Sequence, residues 1–436
     1  MALTRAQKMA AGKAFAEVAV QGMDPQMARG LPAISDVNAS EFSNILFQFP
    51  ARSSSFYGTL FERLSYQRIL NAEARNRLAD KKRGTLTAGG VASEVYVDLG
   101  NVRQWDRNED YVGEVLKTHK PKNIHPFYYE TNFECQTEPM SISPEKEKFA
   151  FADWAELYDI ATRRIDAMYM GMENREYLKS VDLYKEAYEQ GLIKCVKIND
   201  FATATQDEIN ENYTTTREIA LNMETQSTDY NYAGLYNLCN IDNQEICVLN
   251  KVRARSSVNL AYAFHKENTG FLGNMISVPN FNGAEKDGLQ MIAYDRYNWF
   301  FIMDNFRRLT YDYNYLALTW NYAYTVSSIY AVTLFSNAVA YCTSLKTITG
   351  VTVPADQSVR KGDTVNMTAT VATSGTGGYW AACDYSITGN TSENTYITPY
   401  GLLVVDPKET ASTITVTATS RQDSTKSGNA EVTVTA

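Results

Sequence analysis

FADWAELYDIATRRIDAMYMGMENREYLKSVDLYKEAYEQ, from Phe151 to Gln190, gives the strongest local signal in the chain. It contains no proline, and Gly171 is its only glycine, so little in it interrupts a helix. Apolar residues recur every three or four positions along one helix face: Trp154, Leu157, Ala161, Ile165, Met168 and Met172. At ~1.5 Å per residue the helix would span on the order of 50 Å. An ordinary core helix and a spine helix crossing a domain share these residues, and the length favours the spine.

The two segments before this helix have few means of forming a core of their own. Residues 1–58 contain a helical patch, Ala6 to Val20, but glycines and prolines interrupt them, so we expect an arm that lies across another surface. Residues 59–143 contain two extended runs, Val91 to Asp98 and Pro126 to Cys135, on either side of a basic loop. The sequence therefore predicts a long hairpin that needs a partner surface.

Short strands and helices alternate after the long helix. Strands are predicted at 192–199, 245–249, 274–278, 289–294 and 299–304, and helices at 206–226 and 258–266. This mixture indicates an α/β or α+β subdomain. Tyr311 to Tyr341 is an aromatic and β-branched run that suits two long strands or one bent strand, buried on at least one face.

The last 94 residues, Thr343 to Ala436, differ from the rest, since 21 are threonine and only five are aromatic. Three segments alternate apolar and polar side chains with a period of two: Thr364 to Val371, Thr413 to Ser420 and Glu431 to Thr435. That period places one face of each segment in a core and the other in water. With glycine-containing turns between the segments, it predicts a small β-sandwich of immunoglobulin type.

Length, charge and amino-acid composition limit the classes of function that the chain can have. The 436 residues suffice for two or three domains, and a net charge of −9 argues against nucleic-acid binding by the whole surface. The sequence has no apolar run of about 18 residues. Met1 to Lys8 has no apolar stretch after its charges, so we expect neither a membrane span nor a secretory signal. The 29 tyrosines and 18 phenylalanines indicate large cores or extensive interfaces.

The sequence lacks the motifs that carry catalysis. Its three histidines, His119, His125 and His265, form no metal-ligand pair, and neither a phosphate-binding loop nor a serine nucleophile elbow occurs. We therefore expect no enzyme activity and no cofactor. The basic cluster Lys81-Lys82-Arg83 could contact nucleic acid, but acidic protein surface or water is the more usual partner.

The order of these pieces resembles the tailed-phage major capsid fold, also called the Johnson or HK97-type fold. Local motifs resemble the major head proteins of small short-tailed phages of the Bacillus phage phi29 kind: Phe151 to Trp154, Gly191 to Lys197, Gly270 to Asn274, Asp295 to Asn305, and Trp320 to Tyr324 with Phe335 to Ala340. In the C-terminal part, Lys361-Gly362-Asp363, Trp380 and Gly401 to Val405 are similar to a bacterial Ig-like domain of group 2.

The resemblance implies an α+β fold with a C-terminal all-β sandwich. Its parts would be an N-arm (1–58), an extended-loop hairpin region (59–143), the spine helix of a peripheral domain (144–191), an axial domain (192–305), closing strands of the peripheral domain (306–342) and an Ig-like domain (343–436). Such a chain is a self-assembling major capsid protein of an icosahedral or prolate head that encloses double-stranded DNA. The candidate residues for subunit contacts are Lys81, Lys82, Arg83, Trp105, Phe127, Tyr128 and Tyr129.

The resemblance also implies partners and a location. The chain would form hexameric and pentameric capsomers with a separate scaffolding protein and a portal protein, assemble in the host bacterial cytoplasm, and end in the virion capsid without membrane contact. Packaged DNA would meet the inner face non-specifically. The Ig-like domain would lie outside, with a host-surface glycan as its candidate ligand or with a passive stabilising role. The alternatives are a bacterial surface adhesin or other Ig-like-domain binding protein, and an enzyme with a binding module.

Overall fold

The computed structural model describes residues 4–49, 51–53, 55–60, 78–86, 90–97, 124–129, 134–142, 153–255, 274–314, 316–317 and 319–435. The helices in these ranges are α1 (Arg5–Gly22), α2 (Pro25–Ala28), α3 (Ala39–Leu46), α4 (Trp154–Glu189) and α5 (Gln206–Met223). Further helical residues lie at 51–53, 55–60 and 250–255. The predicted helix at 258–266 lies outside the described residues.

The described strands of the first 342 residues are β1 (Lys82–Thr85), β2 (Ser93–Val97), β3 (Ile124–Tyr128), β4 (Glu134–Ile142), β5 (Lys194–Lys197), β6 (Gln244–Leu249), β7 (Asn274–Val278), β8 (Leu289–Asp295), β9 (Phe300–Asn314), β10 (Thr319–Val332) and β11 (Ala338–Cys342). Those that follow are β12 (Thr347–Thr352), β13 (Gln357–Arg360), β14 (Thr364–Asn366), β15 (Thr370–Ser374), β16 (Cys383–Thr388), β17 (Tyr396–Ile397), β18 (Leu402–Val404), β19 (Thr413–Ser420) and β20 (Ser427–Thr435). Helix and strand thus mix, as the α+β class requires.

The chain divides into two compact units. The first comprises Met1–Gly90, Thr131–Lys179 and Ile302–Ile329, and the second comprises Val91–Glu130, Ser180–Phe301 and Tyr330–Ala436. Helix α4 and strands β9 and β10 each contribute residues to both units. The long helix begins and ends within three residues of the predicted run, because its apolar stripe and the absence of proline act over its whole length.

The first unit packs helices against a four-stranded sheet of order β1-β9-β10-β4. β1 runs parallel to β9, and β10 pairs antiparallel with β4 from Trp320↔Ile142 to Ser328↔Glu134. One hydrophobic cluster of this unit includes Phe42 of α3, Trp154 and Leu157 of α4, and Tyr322 of β10. Burying a side chain such as Phe42 contributes roughly 2–3 kcal/mol.

Residues 1–58 bury apolar side chains together with those of α4 and β10 in the first unit. Ala16, Phe42, Leu46 and Phe56 are each fully buried, and they share a cluster with the start of α4. Gly12 allows this contact, since a Cβ there would lie 1.9 Å from the carbonyl oxygen of Trp154. The glycines and prolines divide the segment into helices, and α1 and α3 each have residues that are buried.

The second unit is built on a mixed sheet of order β5-β11-β8-β6-β7. Every residue of β6, β8 and β11 is buried. Because these strands are covered on both faces, most of their residues are apolar, although Gln244, Glu245, Gln290 and Asp295 are buried with them. The tyrosine run predicted at 311–341 divides between the end of β9, β10 and β11.

The C-terminal residues form a β-domain in this second unit. It contains a four-stranded sheet of order β13-β20-β19-β16, a three-stranded sheet of order β14-β18-β17 and the pair β12-β15. Met367, Leu403, Ile414, Val416 and Val432 are fully buried in one cluster. β19 matches the predicted segment, whereas the single strand predicted over 364–371 is two strands, β14 and β15, in different sheets.

Candidate assembly surfaces

A buried acid on the long helix connects two strands of the first unit. Glu176 is 1% exposed; Lys82 on β1 donates to it at 2.9 Å, and the Arg307 guanidinium on β9 donates at 2.8 Å. Arg307 also pairs with Asp304 at 2.8 Å, and the Ser328 hydroxyl donates to Asp304 at 2.7 Å. Burial alone would raise the pKa of Asp304, but Arg307 and Ser328 outweigh it and lower that pKa.

This arrangement determines where the predicted basic cluster lies. The Lys81 side chain is 1% exposed, with its ammonium 3.7 Å from Asp80, so it offers no surface to a neighbour. Lys82 is bound within the chain, as described above, and Arg83 is exposed on β1. Trp105 lies outside the described residues. Of the three basic candidates, only Arg83 presents an exposed side chain.

Strands β2 and β3 form an antiparallel ribbon whose inner face is occupied. Phe127 packs edge-on against Phe335 at 6.0 Å and Tyr400 at 5.7 Å between ring centroids. Tyr129, immediately after β3, packs edge-on against Phe301 at 5.0 Å. Phe127 and Tyr129 therefore make contacts inside the second unit. A single strand had been predicted from Pro126 to Cys135, but β3 pairs with β2 while β4 pairs with β10.

The outer face of the same ribbon is apolar and exposed. Val95 is 60%, Val97 51% and Tyr128 65% exposed. Alternation along a strand places these side chains opposite those that pack inward. A two-stranded ribbon with apolar side chains on both faces is unusual for a surface that meets only water, and such patches mark interaction sites.

The β-domain docks closely on the body of the second unit. The Ala381 N–H donates to the Gly191 carbonyl at 2.8 Å. A Cβ at Gly378 would lie 2.6 Å from both the Cys195 sulfur and the Tyr188 ring, so the close approach requires glycine there. Backbone contact of this kind fixes the position of the loop that carries these residues.

Arg421 forms a second anchor between the β-domain and the body. Its side chain is 8% exposed, and its guanidinium lies 4.7 Å from the centre of the Trp380 ring. It donates to the Asn231 carbonyl at 3.1 Å and the Thr228 carbonyl at 2.6 Å. Lys194 lies 5.5 Å from the same tryptophan ring, and burial first, then Arg421, lowers its pKa. The buried Arg421 guanidinium therefore makes the contact between the β-domain and the body of the second unit specific.

Sequence reasoning missed Glu176 and Arg421. Glu176 did leave a signal, because it lies four positions after Met172 and so continues the apolar stripe of the helix. An acid on a buried stripe needs a basic partner. Arg421 follows β19 at a turn, and nothing local distinguishes it from a solvated arginine.

Among the described residues, no group of three or more histidine, cysteine, aspartate or glutamate side chains could hold a metal ion. No helix in the described part of the chain is long and apolar enough to cross a membrane.

Comparison with known proteins identifies the body. Residues 17–342 match the family described as Phi29-like phage major capsid protein. The chain belongs to this family. Its role is therefore structural, as a capsid-forming protein of a phage virion, and capsid proteins assemble into multimeric shells. The adhesin alternative is not supported, since the family match covers residues 17–342 of the body before the β-domain.

Individual relatives extend the comparison. The major capsid protein of Bacillus phage B103 is 28% identical over 399 residues, which is 89% of this chain and 85% of that protein. The major capsid protein of Bacillus phage PZA is 28% identical over 375 residues, 84% of this chain and 80% of the relative. Residues 1–342 are only about 78% of the 436 residues, so both similarities reach into the β-domain.

Solved capsid structures show weaker likeness. A bacteriophage P68 structure described as head fiber and inner core protein gp22 has a TM-score of 0.47 at 11% identity, covering 63% of this chain and 87% of that one. The capsid structure of Staphylococcus phage Andhra has a TM-score of 0.44 at 10% identity, covering 62% of this chain and 85% of the other.

Proposed function

We propose that this chain forms the head shell around phage double-stranded DNA, as hexameric and pentameric capsomers, and that it does so without enzyme activity or a cofactor. The outer face of the β2–β3 ribbon is a contact between copies. The observation that carries this contact is the exposed apolar set Val95, Val97 and Tyr128 in a member of a capsid family. Apolar surface of this kind is stabilised when a second copy covers it.

The remaining partners follow from the same role. A separate scaffolding protein and a portal protein take part in assembly, which occurs in the host bacterial cytoplasm, and packaged DNA meets the inner face without specific contacts. The net charge of −9 suits a container that does not hold its cargo tightly.

The β-domain is an Ig-like domain of group 2 on the outside of the head, where a host-surface glycan is its candidate ligand. Two observations support the domain type. Its strands form small sheets around one apolar cluster, and their pairs are antiparallel except for β13 and β20, which are parallel. The four-stranded sheet presents threonines at alternate positions of β19, which suits a face in water.

The ribbon contact is tested with Val95→Asp in the full-length chain, expressed with its scaffolding protein. A charge in a covered apolar contact costs several kcal/mol, so we expect soluble, folded subunits and at least a tenfold loss of shells by negative-stain microscopy and sedimentation. Leu221→Asp on α5 is the matched control, since Leu221 is 45% exposed. Normal assembly of Val95→Asp, or equal loss in both variants, contradicts the proposed contact.

A further inference from the structure

The β-domain also touches the ribbon, at a single aromatic side chain. The Tyr400 hydroxyl donates to the Pro126 carbonyl of β3 at 2.6 Å. The Tyr400 ring packs edge-on against Phe127 at 5.7 Å and lies 6.2 Å from Phe335. One residue of the β-domain thus holds both the backbone and a side chain of β3.

Tyr400 is itself held in place by its own domain. The Thr368 hydroxyl donates to the Tyr400 carbonyl at 3.0 Å, and the Met367 N–H donates to the Gly401 carbonyl at 2.7 Å. Gly401 has a φ of +88°, and a Cβ there would lie 2.9 Å from the Thr368 Cα. Only glycine adopts this conformation without strain, so the turn that presents Tyr400 is fixed.

The ribbon is supported by packing on the second unit, where Phe335 and Phe301 contact it as well as Tyr400. Within the described ranges, β2 and β3 pair only with each other, and a lone two-stranded ribbon is marginally stable in water. Beside Tyr400, Asn366 and Leu402 of the β-domain line an open pocket of about 380 Å3 next to Phe127. Among the described residues, Tyr400 is thus the β-domain side chain whose hydroxyl and ring both contact β3.

We propose that the β-domain acts as an intramolecular clamp, in which Tyr400 holds the β2–β3 ribbon so that its outer face is presented to the next subunit. The β-domain then takes part in building the shell as well as decorating it. The first half of this proposal concerns the isolated chain; the second half rests on the proposed ribbon contact. A measurement on the unassembled subunit tests the first half alone, and a measurement of assembly then tests the second half.

The first measurement is hydrogen exchange, read by mass spectrometry, on unassembled full-length protein. Tyr400→Phe removes only the hydrogen bond, and we expect about fivefold faster exchange of the amides at 124–129. Tyr400→Ala also removes the ring contacts, and we expect about 10- to 100-fold faster exchange there. Amides of β19 should exchange as in the parent, which shows that the β-domain remains folded. Tyr396→Ala, at another tyrosine of the same domain, is the control.

The second measurement is assembly of the same variants with the scaffolding protein. Fewer or misshapen shells are expected for Tyr400→Ala, with Tyr396→Ala close to the parent. Unchanged exchange at 124–129 in both Tyr400 variants overturns the clamp. Faster exchange with normal shells overturns its role in assembly. Failure of the proposed function looks different: Val95→Asp then assembles normally, whatever the exchange of the Tyr400 variants.

Discussion

Glu176→Gln is the substitution whose effect the structure defines best. It keeps the shape of the side chain and removes the charge that Lys82 and Arg307 share. Breaking a fully buried ion pair costs about 3–5 kcal/mol. The lysine and arginine side chains are 22% and 28% exposed, and Arg307 keeps Asp304, so both cations retain some compensation. We therefore expect a loss of about 2–3 kcal/mol in the free energy of opening the first unit.

Two units need not unfold in one transition, so the readout is local hydrogen exchange at β1 in a urea series. Glu186→Gln, at an exposed acid on the same helix, is the control and should change stability by less than about 0.5 kcal/mol. A double-mutant cycle with Lys82→Met isolates the pair, and we expect a coupling energy of about 1–2 kcal/mol. If Glu176→Gln and Lys82→Met are additive within about 0.5 kcal/mol, the reasoning is refuted.

Gly12→Ala should destabilise the first unit by about 2 kcal/mol or more, because the new Cβ would overlap the carbonyl of Trp154. Gly350→Ala is the control and should be nearly neutral, because its Cβ would meet nothing within 4 Å. Thermal unfolding measures the stability of the two variants against the parent. Arg421→Ala should make the β-domain more accessible to limited proteolysis at its junction with the body. Arg421→Lys should restore little of the protection, since lysine lacks the planar fork that contacts two carbonyls; protection of either variant equal to that of the parent would contradict this. Because the pKa of Asp304 is lowered in the folded state, the stability it contributes is present above its ordinary pKa and is lost as the pH falls through the folded value. Melting temperatures below about pH 4 should therefore fall less steeply in Asp304→Asn than in the parent, and parallel curves would count against the assignment.

Much of the element pattern was predictable from local sequence. The long helix, β7 and β19 were placed to within a few residues because their periodicity is strong and uninterrupted. The errors have one cause. Apolar and polar side chains alternate from Thr364 to Val371, and the residues from Pro126 to Cys135 all favour an extended chain. In each case, however, the segment contributes to two strands that belong to different sheets. A period of two in the sequence predicts that a segment is a strand, but it does not predict which other strand it pairs with.

The candidate contact residues lie in different surroundings within the chain. Tyr128 and Arg83 are exposed, whereas Lys81 is buried and Phe127 packs against its own chain. Residue type and spacing in the sequence did not distinguish the exposed candidates from the buried ones. Their positions differ because the inner face of the ribbon and the partners of β1 come from segments about 90 to 270 residues away in the chain.

The sequence by itself determined that there would be a spine helix, a mixed body and a separate threonine-rich β-domain, because helix and strand periods and residue composition act over short distances. Only the tertiary structure decided that Glu176 collects two cations, that residues 1–58 bury their apolar side on α4, and that Tyr400 reaches the ribbon. Those contacts join residues far apart in the chain. They depend on which faces meet once each element has covered its apolar surface, and no local pattern encodes that choice.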